Sequence, residues 1–150
     1  MSLAAIPLHR PEAPTRPGDS FETGRLERNG RPLRIVIAED EAMIVMDLQN
    51  IINDAGGEVV GVAVRGEDAI TLAATLRPDA VLMDVHLMGK LDGIEAARSI
   101  KTMRSVAVVF VTAHGDPDTL RRMFEVVPAS PVIKPISEVH LREAIVRACR

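Results

Sequence analysis

Five short and almost purely apolar runs alternate with amphipathic stretches along the chain from Leu33 onwards. The runs cover residues 35–37, 59–64, 81–83, 106–111 and 132–133. Apolar runs without polar alternation are typical of parallel strands that helices cover on both faces. Strands that alternate with helices in this way build a doubly wound α/β fold. The pattern therefore predicts a five-stranded parallel sheet with five helices.

The amphipathic stretches carry apolar residues at helical spacing. In the first of them, Ile44, Leu48 and Ile52 recur every four residues, and Gly56 follows where a helix would end. Ser137 stands where a last helix would begin and is a good N-cap residue. Sheets of this class bind ligands outside the carboxyl ends of their strands, so functional residues are expected there.

Residues 1–32 differ from the rest of the chain. They hold five of the ten prolines and show no sustained period of 2 or 3.6. Such a segment is typical of a flexible tail, with either no specific role or a role in docking. The sequence therefore predicts a Pro- and Arg-rich tail over residues 1–32 and one domain over residues 33–150.

Composition excludes several classes of function. The net charge of −3 and the aromatic content of 2% disfavour nucleic-acid binding, which needs clustered basic residues and stacking rings. The one cysteine, Cys149, cannot form an intramolecular disulfide, which favours a reducing compartment. No apolar run approaches the roughly 18 residues of a membrane span. Neither does the start read as a signal peptide, so we expect a cytoplasmic protein without a membrane partner.

Charged and hydroxyl side chains stand at the ends of four predicted strands. Glu39 and Asp40 follow the first strand, Asp84 the third, Thr112 the fourth and Lys134 the fifth. Parallel strand ends meet at one edge of a sheet, where close carboxylates repel unless a cation lies between them. Mg²⁺ prefers such hard oxygen ligands. Together with a lysine it would suit phosphoryl transfer, which depends mostly on positioning and electrostatic stabilisation.

The same strand ends resemble a known family. Residues 35–40, 81–84, 110–113 and 133–135 are similar to the motifs of receiver domains from two-component response regulators. The resemblance covers residues 33–150, and four motifs in the right order make it specific. It implies a flavodoxin-like fold with strand order 2-1-3-4-5.

The resemblance implies a phosphoacceptor and a metal site. Asp84 would accept the phosphoryl group. Asp40, Asp84 and the backbone carbonyl of His86 would bind Mg²⁺ directly, and Glu39 would complete the acidic pocket through water.

The resemblance also implies the residues that respond to phosphorylation. Thr112 would hydrogen-bond the phosphoryl group, Ala113 would move with it, and Lys134 would pair with a phosphoryl oxygen. The peptide bond before Pro135 would be cis.

Two positions depart from the common pattern of that family. Met88 stands where a proline usually follows the acceptor, in a loop that is one residue longer. Pro131 replaces the aromatic residue that usually swings inward on phosphorylation. Either another group then reports the phosphorylated state, with Phe110 and Phe124 as candidates by elimination, or the output surface is coupled differently.

Two histidines flank the predicted site. His86 lies two residues after Asp84, and His114 lies two residues after Thr112. In the receiver domains that this chain resembles, these positions border the path of the water that hydrolyses the acyl phosphate. Since histidine is bulky and titrates near neutrality, the pair is predicted to set the lifetime of the phosphorylated state and its pH dependence. The alternative is two exposed histidines without a kinetic role.

The resulting hypothesis is a single-domain response regulator rather than an enzyme. It would take its phosphoryl group from a sensor histidine kinase or a phosphotransfer protein, then bind an unidentified downstream protein or serve as a phosphate sink. Association into a homodimer is left open. The foremost alternative is a receiver-like adaptor that needs no phosphorylation. Less favoured are a small phosphatase of the haloacid dehalogenase type and a flavin carrier of the same fold.

Overall fold

The computed structural model describes residues 24–103, 106–113 and 115–150. The strands are β1 (Glu27–Arg28), β2 (Arg31–Pro32), β3 (Arg34–Ala38), β4 (Glu58–Ala63), β5 (Ala80–Met83), β6 (Ala107–Thr112) and β7 (Val132–Ile133). The helices are α1 (Ala42–Asp54), α2 (Gly66–Leu76), α3 (Gly93–Ile100), α4 (Pro117–Val126) and α5 (Glu138–Ala148).

The five strands from β3 to β7 form one parallel sheet in the order β4-β3-β5-β6-β7. Numbered along the chain, this is the order 2-1-3-4-5 that the resemblance implied, so the predicted flavodoxin-like fold is confirmed. The order reverses direction between β3 and β5, which lie side by side. Ligands of doubly wound sheets bind at this reversal, outside the carboxyl ends of the strands.

Alternate residues of the central strand supply two separate cores. Ile35 and Ile37 pack with α1 and α5 on one face of the sheet. Val36 and Ala38 pack with α2, α3 and α4 on the other face. Both faces of β3 are therefore buried, which explains why its sequence is apolar throughout rather than alternating. No described helix has the length and apolar character needed to cross a membrane.

The ends of the helices follow from local sequence. Ser137 caps α5 by accepting a hydrogen bond from the backbone N–H of His140, as predicted. Gly56 has a positive φ of 92° just beyond α1, a conformation that glycine adopts without strain. Asp92 caps α3 and forms a reciprocal capping box with Glu95.

Residues 24–32 correct the predicted extent of the tail. Strands β1 and β2 pair in an antiparallel hairpin whose turn residues, Asn29 and Gly30, both have positive φ. The side chain of Leu26 is fully buried, and its backbone N–H donates to the carbonyl oxygen of Ala55 at 2.8 Å. The folded unit thus begins before residue 33, because one leucine and a two-residue turn suffice to dock this segment. Residues 1–23 of the predicted tail lie outside the described residues.

Candidate functional site

The predicted strand-end residues meet at one edge of the sheet. Ala38 is paired with Met83, so the residues that follow them, Glu39 and Asp84, emerge side by side. The backbone N–H of Asp84 donates to the carbonyl oxygen of Ala38 at 3.0 Å. From the neighbouring strands, the backbone N–H of Lys134 donates to the carbonyl oxygen of Thr112 at 2.9 Å. The topology therefore gathers residues from four strands, as the sequence predicted.

Lys134 lies between two buried carboxylates. Its Nζ donates to Glu39 Oε1 at 2.6 Å and to Asp84 Oδ2 at 3.2 Å. The side chains of Glu39, Asp84 and Lys134 are only 1%, 7% and 11% exposed. One ammonium thus compensates two carboxylates in a place that water barely reaches, where electrostatic interactions are strong.

Burial and charge shift the pKa values of this cluster. Burial raises the pKa of Glu39, although hydrogen bonds from Lys134 and from the backbone N–H of Glu41 oppose the shift. Burial would lower the pKa of Lys134, but the hydrogen bond to Glu39 and the charge of Asp84 outweigh it and raise that pKa. Both directions follow from two carboxylates sharing one cation: the lysine is held charged, while the more deeply buried carboxylate is only partly compensated.

One oxygen of Asp84 is left available. Its Oδ2 binds Lys134, while Oδ1 is buried and has no hydrogen-bond partner among the residues that the structure describes. A buried carboxylate oxygen without a partner is costly unless something binds it. Oδ1 is therefore the atom of this cluster that is placed to receive a cation or a new covalent bond.

Beside Asp84, carboxylates that fit a hard cation follow β3. One carboxylate oxygen from each of Glu39, Asp40 and Glu41 lies within 4.8 Å of the others. Asp40 and Glu41 are exposed and Glu39 is buried, so the group extends from the interior to the surface. Oxygen donors of this kind suit Mg²⁺, although the compact group of three does not include Asp84. Glu41 adds a donor that the predicted ligand set did not contain.

Gly93 packs directly against the backbone of Asp84. A Cβ atom at this position would lie 1.8 Å from the backbone oxygen of Asp84, so only glycine fits. The backbone N–H of Gly93 also donates to the carbonyl oxygen of Val85 at 2.7 Å. The requirement for glycine at position 93 arises from a packing contact that no local sequence pattern reveals.

The loop over residues 85–92 carries one predicted histidine and the departure at Met88. His86 and Met88 are both exposed. The backbone N–H of Met88 donates to the carbonyl oxygen of Val64 at 3.0 Å, and Met88 forms a parallel bridge with Arg65. The longer loop is therefore attached to the end of β4. The other predicted histidine, His114, lies outside the described residues.

The residues that were predicted to respond to phosphorylation lie in different environments. Thr112 is fully buried, whereas Ala113 is exposed. The peptide bond between Lys134 and Pro135 is cis. Pro131, which stands in place of the usual aromatic residue, is buried.

Comparison with known proteins agrees with this geometry. A family model described as the response regulator receiver domain matches residues 35–146. The chain belongs to the response regulator receiver family. The receiver is a signalling domain, so family membership does not support the phosphatase or the flavin carrier that the sequence had left open.

Two curated relatives show the range of proteins that contain such a receiver. The transcriptional regulatory protein PdtaR of Mycobacterium tuberculosis is 40% identical over 76% of this chain and 55% of its own length. The phyllosphere-induced regulator PhyR of Methylorubrum extorquens is 30% identical over 85% of this chain and 47% of its own length. The chain thus spans about half the length of these two relatives.

Solved structures show the same receiver fold. The signal receiver domain of a modulated diguanylate cyclase from Desulfovibrio desulfuricans G20 matches with a TM-score of 0.74 and 31% identity, over 79% of this chain and 94% of that one. The PhyR receiver domain of Erythrobacter litoralis matches with a TM-score of 0.69 and 30% identity, over 79% and 90%.

Proposed function

We propose that this receiver accepts a phosphoryl group on Asp84, from a phosphohistidine of a sensor kinase or a phosphotransfer protein, in a Mg²⁺-dependent reaction. The observation that carries the proposal is the state of the Asp84 carboxylate. Lys134 holds Oδ2, while Oδ1 is buried without a partner at the reversal point of the sheet. A nucleophile held in this way is oriented before its substrate arrives, which is a large part of catalysis in phosphoryl transfer.

The chemical step follows from these atoms. Asp84 Oδ1 attacks phosphorus and forms the acyl phosphate bond, while the bond from phosphorus to the histidine nitrogen breaks. The electron pair of that bond stays on the imidazole, which takes up a proton from solvent. Lys134 Nζ lies close enough to Asp84 to pair with an oxygen of the transferred phosphoryl group. The buried Thr112 lies at the end of the adjacent strand. Lysine and hydroxyl would neutralise and hydrogen-bond the new charge.

The carboxylates after β3 are the proposed metal ligands. Asp40, Asp84 and the backbone carbonyl of His86 would hold Mg²⁺ directly, with Glu39 acting through water. When bound, Mg²⁺ supplies positive charge that offsets the negative phosphoryl oxygens. The compact oxygen-donor group that contains Glu39 and Asp40 and the unpartnered Oδ1 of Asp84 support this assignment.

Output would pass through the face formed by α4, β7 and α5. Three large apolar side chains on it are exposed, namely Phe124, Ile133 and Val139. The added phosphoryl group carries about −1.5 to −2 charges, and satisfying it would draw Thr112 and the following segment inward. We propose a protein partner for this face and a cytoplasmic location.

Incubation with acetyl phosphate and Mg²⁺, followed by intact mass measurement, tests the proposed acceptor. We expect a gain of about 80 Da, one phosphoryl group, that is abolished by EDTA and by Asp84→Asn. Phosphorylated histidine kinases serve as second donors, since some receivers do not react with small donors. Absence of the gain with every donor, or its persistence in Asp84→Asn, would contradict the proposal.

A phosphorylation-independent adaptor is the second candidate. The buried Pro131 favours it, because a proline cannot perform the ring movement by which other receivers report phosphorylation. For an adaptor, Asp84→Asn would leave partner binding unchanged. For a phosphorylated switch, it would abolish the difference in binding with and without acetyl phosphate.

The role of the two histidines remains a prediction. His86 is exposed beside the acceptor, so replacing it by alanine removes bulk from the approach to Asp84. We expect His86→Ala to shorten the lifetime of the acyl phosphate several-fold, and His114→Ala to act in the same direction. Dephosphorylation followed from pH 6 to 8 measures this; rates equal to the unmodified protein at every pH would contradict it.

A further inference from the structure

Glu67 links α2 to the loop that follows the acceptor. It is the second residue of α2, and its Oε1 accepts a hydrogen bond from the backbone N–H of Leu91 at 3.3 Å. The backbone N–H groups of Glu67 itself, Leu91 and Lys90 lower the pKa of this carboxyl. The hydrogen bond from Leu91 therefore ties a carboxylate of α2 to the loop.

Gly89 leaves space for the Glu67 carboxylate. Its φ is +93°, which glycine tolerates and most residues do not. A Cβ atom at this position would lie 2.8 Å from Glu67 Oε2, so a larger residue would displace the carboxylate. The Glu67 carboxylate therefore occupies space that the absence of a side chain at Gly89 leaves open.

Glu67 is one of several contacts that fix the course of this loop, and the end of the loop is held separately by Asp92, which pairs with Arg122. The loop is one residue longer than the common form and has Met88 in place of a proline, whose ring would have fixed the backbone angle φ. Its first residues adjoin Asp84, and its end runs into Gly93 against the Asp84 backbone. Between these ends, the described attachments to the β4–α2 side include the hydrogen bond from Met88 to Val64, the bridge between Met88 and Arg65, and the hydrogen bond from Leu91 to Glu67.

We propose that Glu67 is a positioning residue: it holds the loop over residues 85–92 so that the backbone carbonyl of His86 stays directed towards the metal position. This inference rests on the proposed function, in which that carbonyl is a ligand. Groups that orient metal ligands without touching the metal commonly change affinity 10–100-fold when they are replaced.

Two substitutions distinguish the effect of the length of the Glu67 side chain from the effect of its charge. Glu67→Asp keeps the charge, which also favours the first turn of a helix, but shortens the side chain so that it no longer reaches Leu91. Glu67→Gln keeps the reach and an acceptor oxygen but loses the charge. Asp68→Ala is the matched control: it removes an exposed acidic group from the same turn of α2, and no hydrogen bond or ion pair joins Asp68 to the described loop.

The measurement is Mg²⁺ affinity without a phosphoryl donor, by calorimetry, with amide hydrogen exchange at Leu91 in parallel. We expect Glu67→Asp to weaken Mg²⁺ binding roughly tenfold and to speed exchange at Leu91. Glu67→Gln should lose less affinity than Glu67→Asp, because it keeps the acceptor oxygen, and Asp68→Ala should resemble the unmodified protein. Urea unfolding of each variant verifies that the fold is intact.

Three results would overturn the inference: unchanged Mg²⁺ affinity in Glu67→Asp, a loss in Glu67→Gln as large as that in Glu67→Asp, or an equal loss in Asp68→Ala. The proposed function fails separately. It fails if the unmodified chain gains no phosphoryl group on Asp84 with any donor, whereas a phosphorylated chain whose Mg²⁺ affinity ignores Glu67→Asp refutes the positioning role alone.

Discussion

Lys134 contacts Glu39 and Asp84 at the same time, and this double contact decides the electrostatics of the site. The order of the strand ends was enough to predict that these three residues meet. The hydrogen bond from Lys134 to Glu39 was not predicted, because it depends on where a long flexible side chain comes to rest among several acceptors. Local sequence patterns carry no such information.

Removal of the ammonium should destabilise the fold. Lys134→Ala leaves Glu39 and Asp84 buried without their cation, and breaking a buried ion pair costs about 3–5 kcal/mol. We expect the free energy of unfolding at pH 7 to fall by about 3 kcal/mol, the lower end of that range. Urea unfolding in the presence of EDTA measures it. Glu39→Gln introduced into the Lys134→Ala variant should restore part of it, since a buried amide is less costly than a buried carboxylate. Equal stability of the single and double variants would contradict this reading.

At the scale of the element, the start of α3 was readable from sequence in part. Asp92 followed three residues later by Glu95 is a local capping signature, and the structure shows both hydrogen bonds of the box. The partner from α4 was not readable: Arg122 donates to Asp92 Oδ2 at 2.7 Å across 30 residues of chain. Asp92 therefore joins the loop that follows Asp84 to α4.

The Asp92 carboxylate should contribute stability that disappears in acid. Burial would raise its pKa, but the N–H of Glu95 and the guanidinium of Arg122 outweigh this and hold the pKa below its usual range. Because the folded pKa is lowered, the contribution is complete above the unfolded value of about 3.9 and is lost as the pH falls through the folded pKa.

Urea unfolding of Asp92→Ala at pH 7 and pH 3 measures this contribution. We expect a loss of about 1 kcal/mol at pH 7, typical of a removed N-cap, and a smaller loss at pH 3. Asp118→Ala is the control, because Asp118 is exposed on α4 and its surface pair with Arg121 contributes little. A loss in Asp92→Ala that does not change with pH would refute the role of its charge.

The N-terminal hairpin shows where element prediction failed. Strands of two residues have no measurable period, so residues 27–32 read as a continuation of the Pro-rich stretch. The pair Asn29-Gly30 was the available signal, since it favours the two-residue turn that the structure contains. That turn signal marks part of the domain only because Leu26 packs in the core beneath α1 and α5, among residues far along the chain.

Leu26→Ala tests whether the hairpin belongs to the folded unit. The side chain is fully buried, so its truncation should lower the free energy of unfolding by about 2–4 kcal/mol. Arg31→Ala, an exposed position on β2, should change it by less than about 0.5 kcal/mol. Urea unfolding of both variants decides the point; a Leu26→Ala curve that coincides with the Arg31→Ala curve would place the domain boundary after the hairpin.

At the scale of the whole molecule, the proposed switch must connect Asp84 to a binding surface without the aromatic residue that Pro131 replaces. Periodicity could not choose between Phe110 and Phe124, since both stand in apolar stripes. The structure separates them. Phe110 is buried in the core cluster beside α2, α3 and α4, whereas Phe124 is half exposed on the outer side of α4. Only a side chain with free space can change its surroundings without disrupting a close-packed core.

We therefore expect Phe124 to report phosphorylation and Phe110 to remain unchanged. The chain has three phenylalanines and no tyrosine or tryptophan, so fluorine NMR of the fluorophenylalanine-labelled protein gives a simple spectrum. Phe→Leu variants assign the signals. On addition of acetyl phosphate and Mg²⁺, the Phe124 signal should shift, and Asp84→Asn should abolish the shift. Because α4 is tied to the loop beside Asp84 through Arg122 and Asp92, Arg122→Ala should also reduce it. A shift confined to Phe110 would instead locate the switch inside the core, with the α4 surface unaffected.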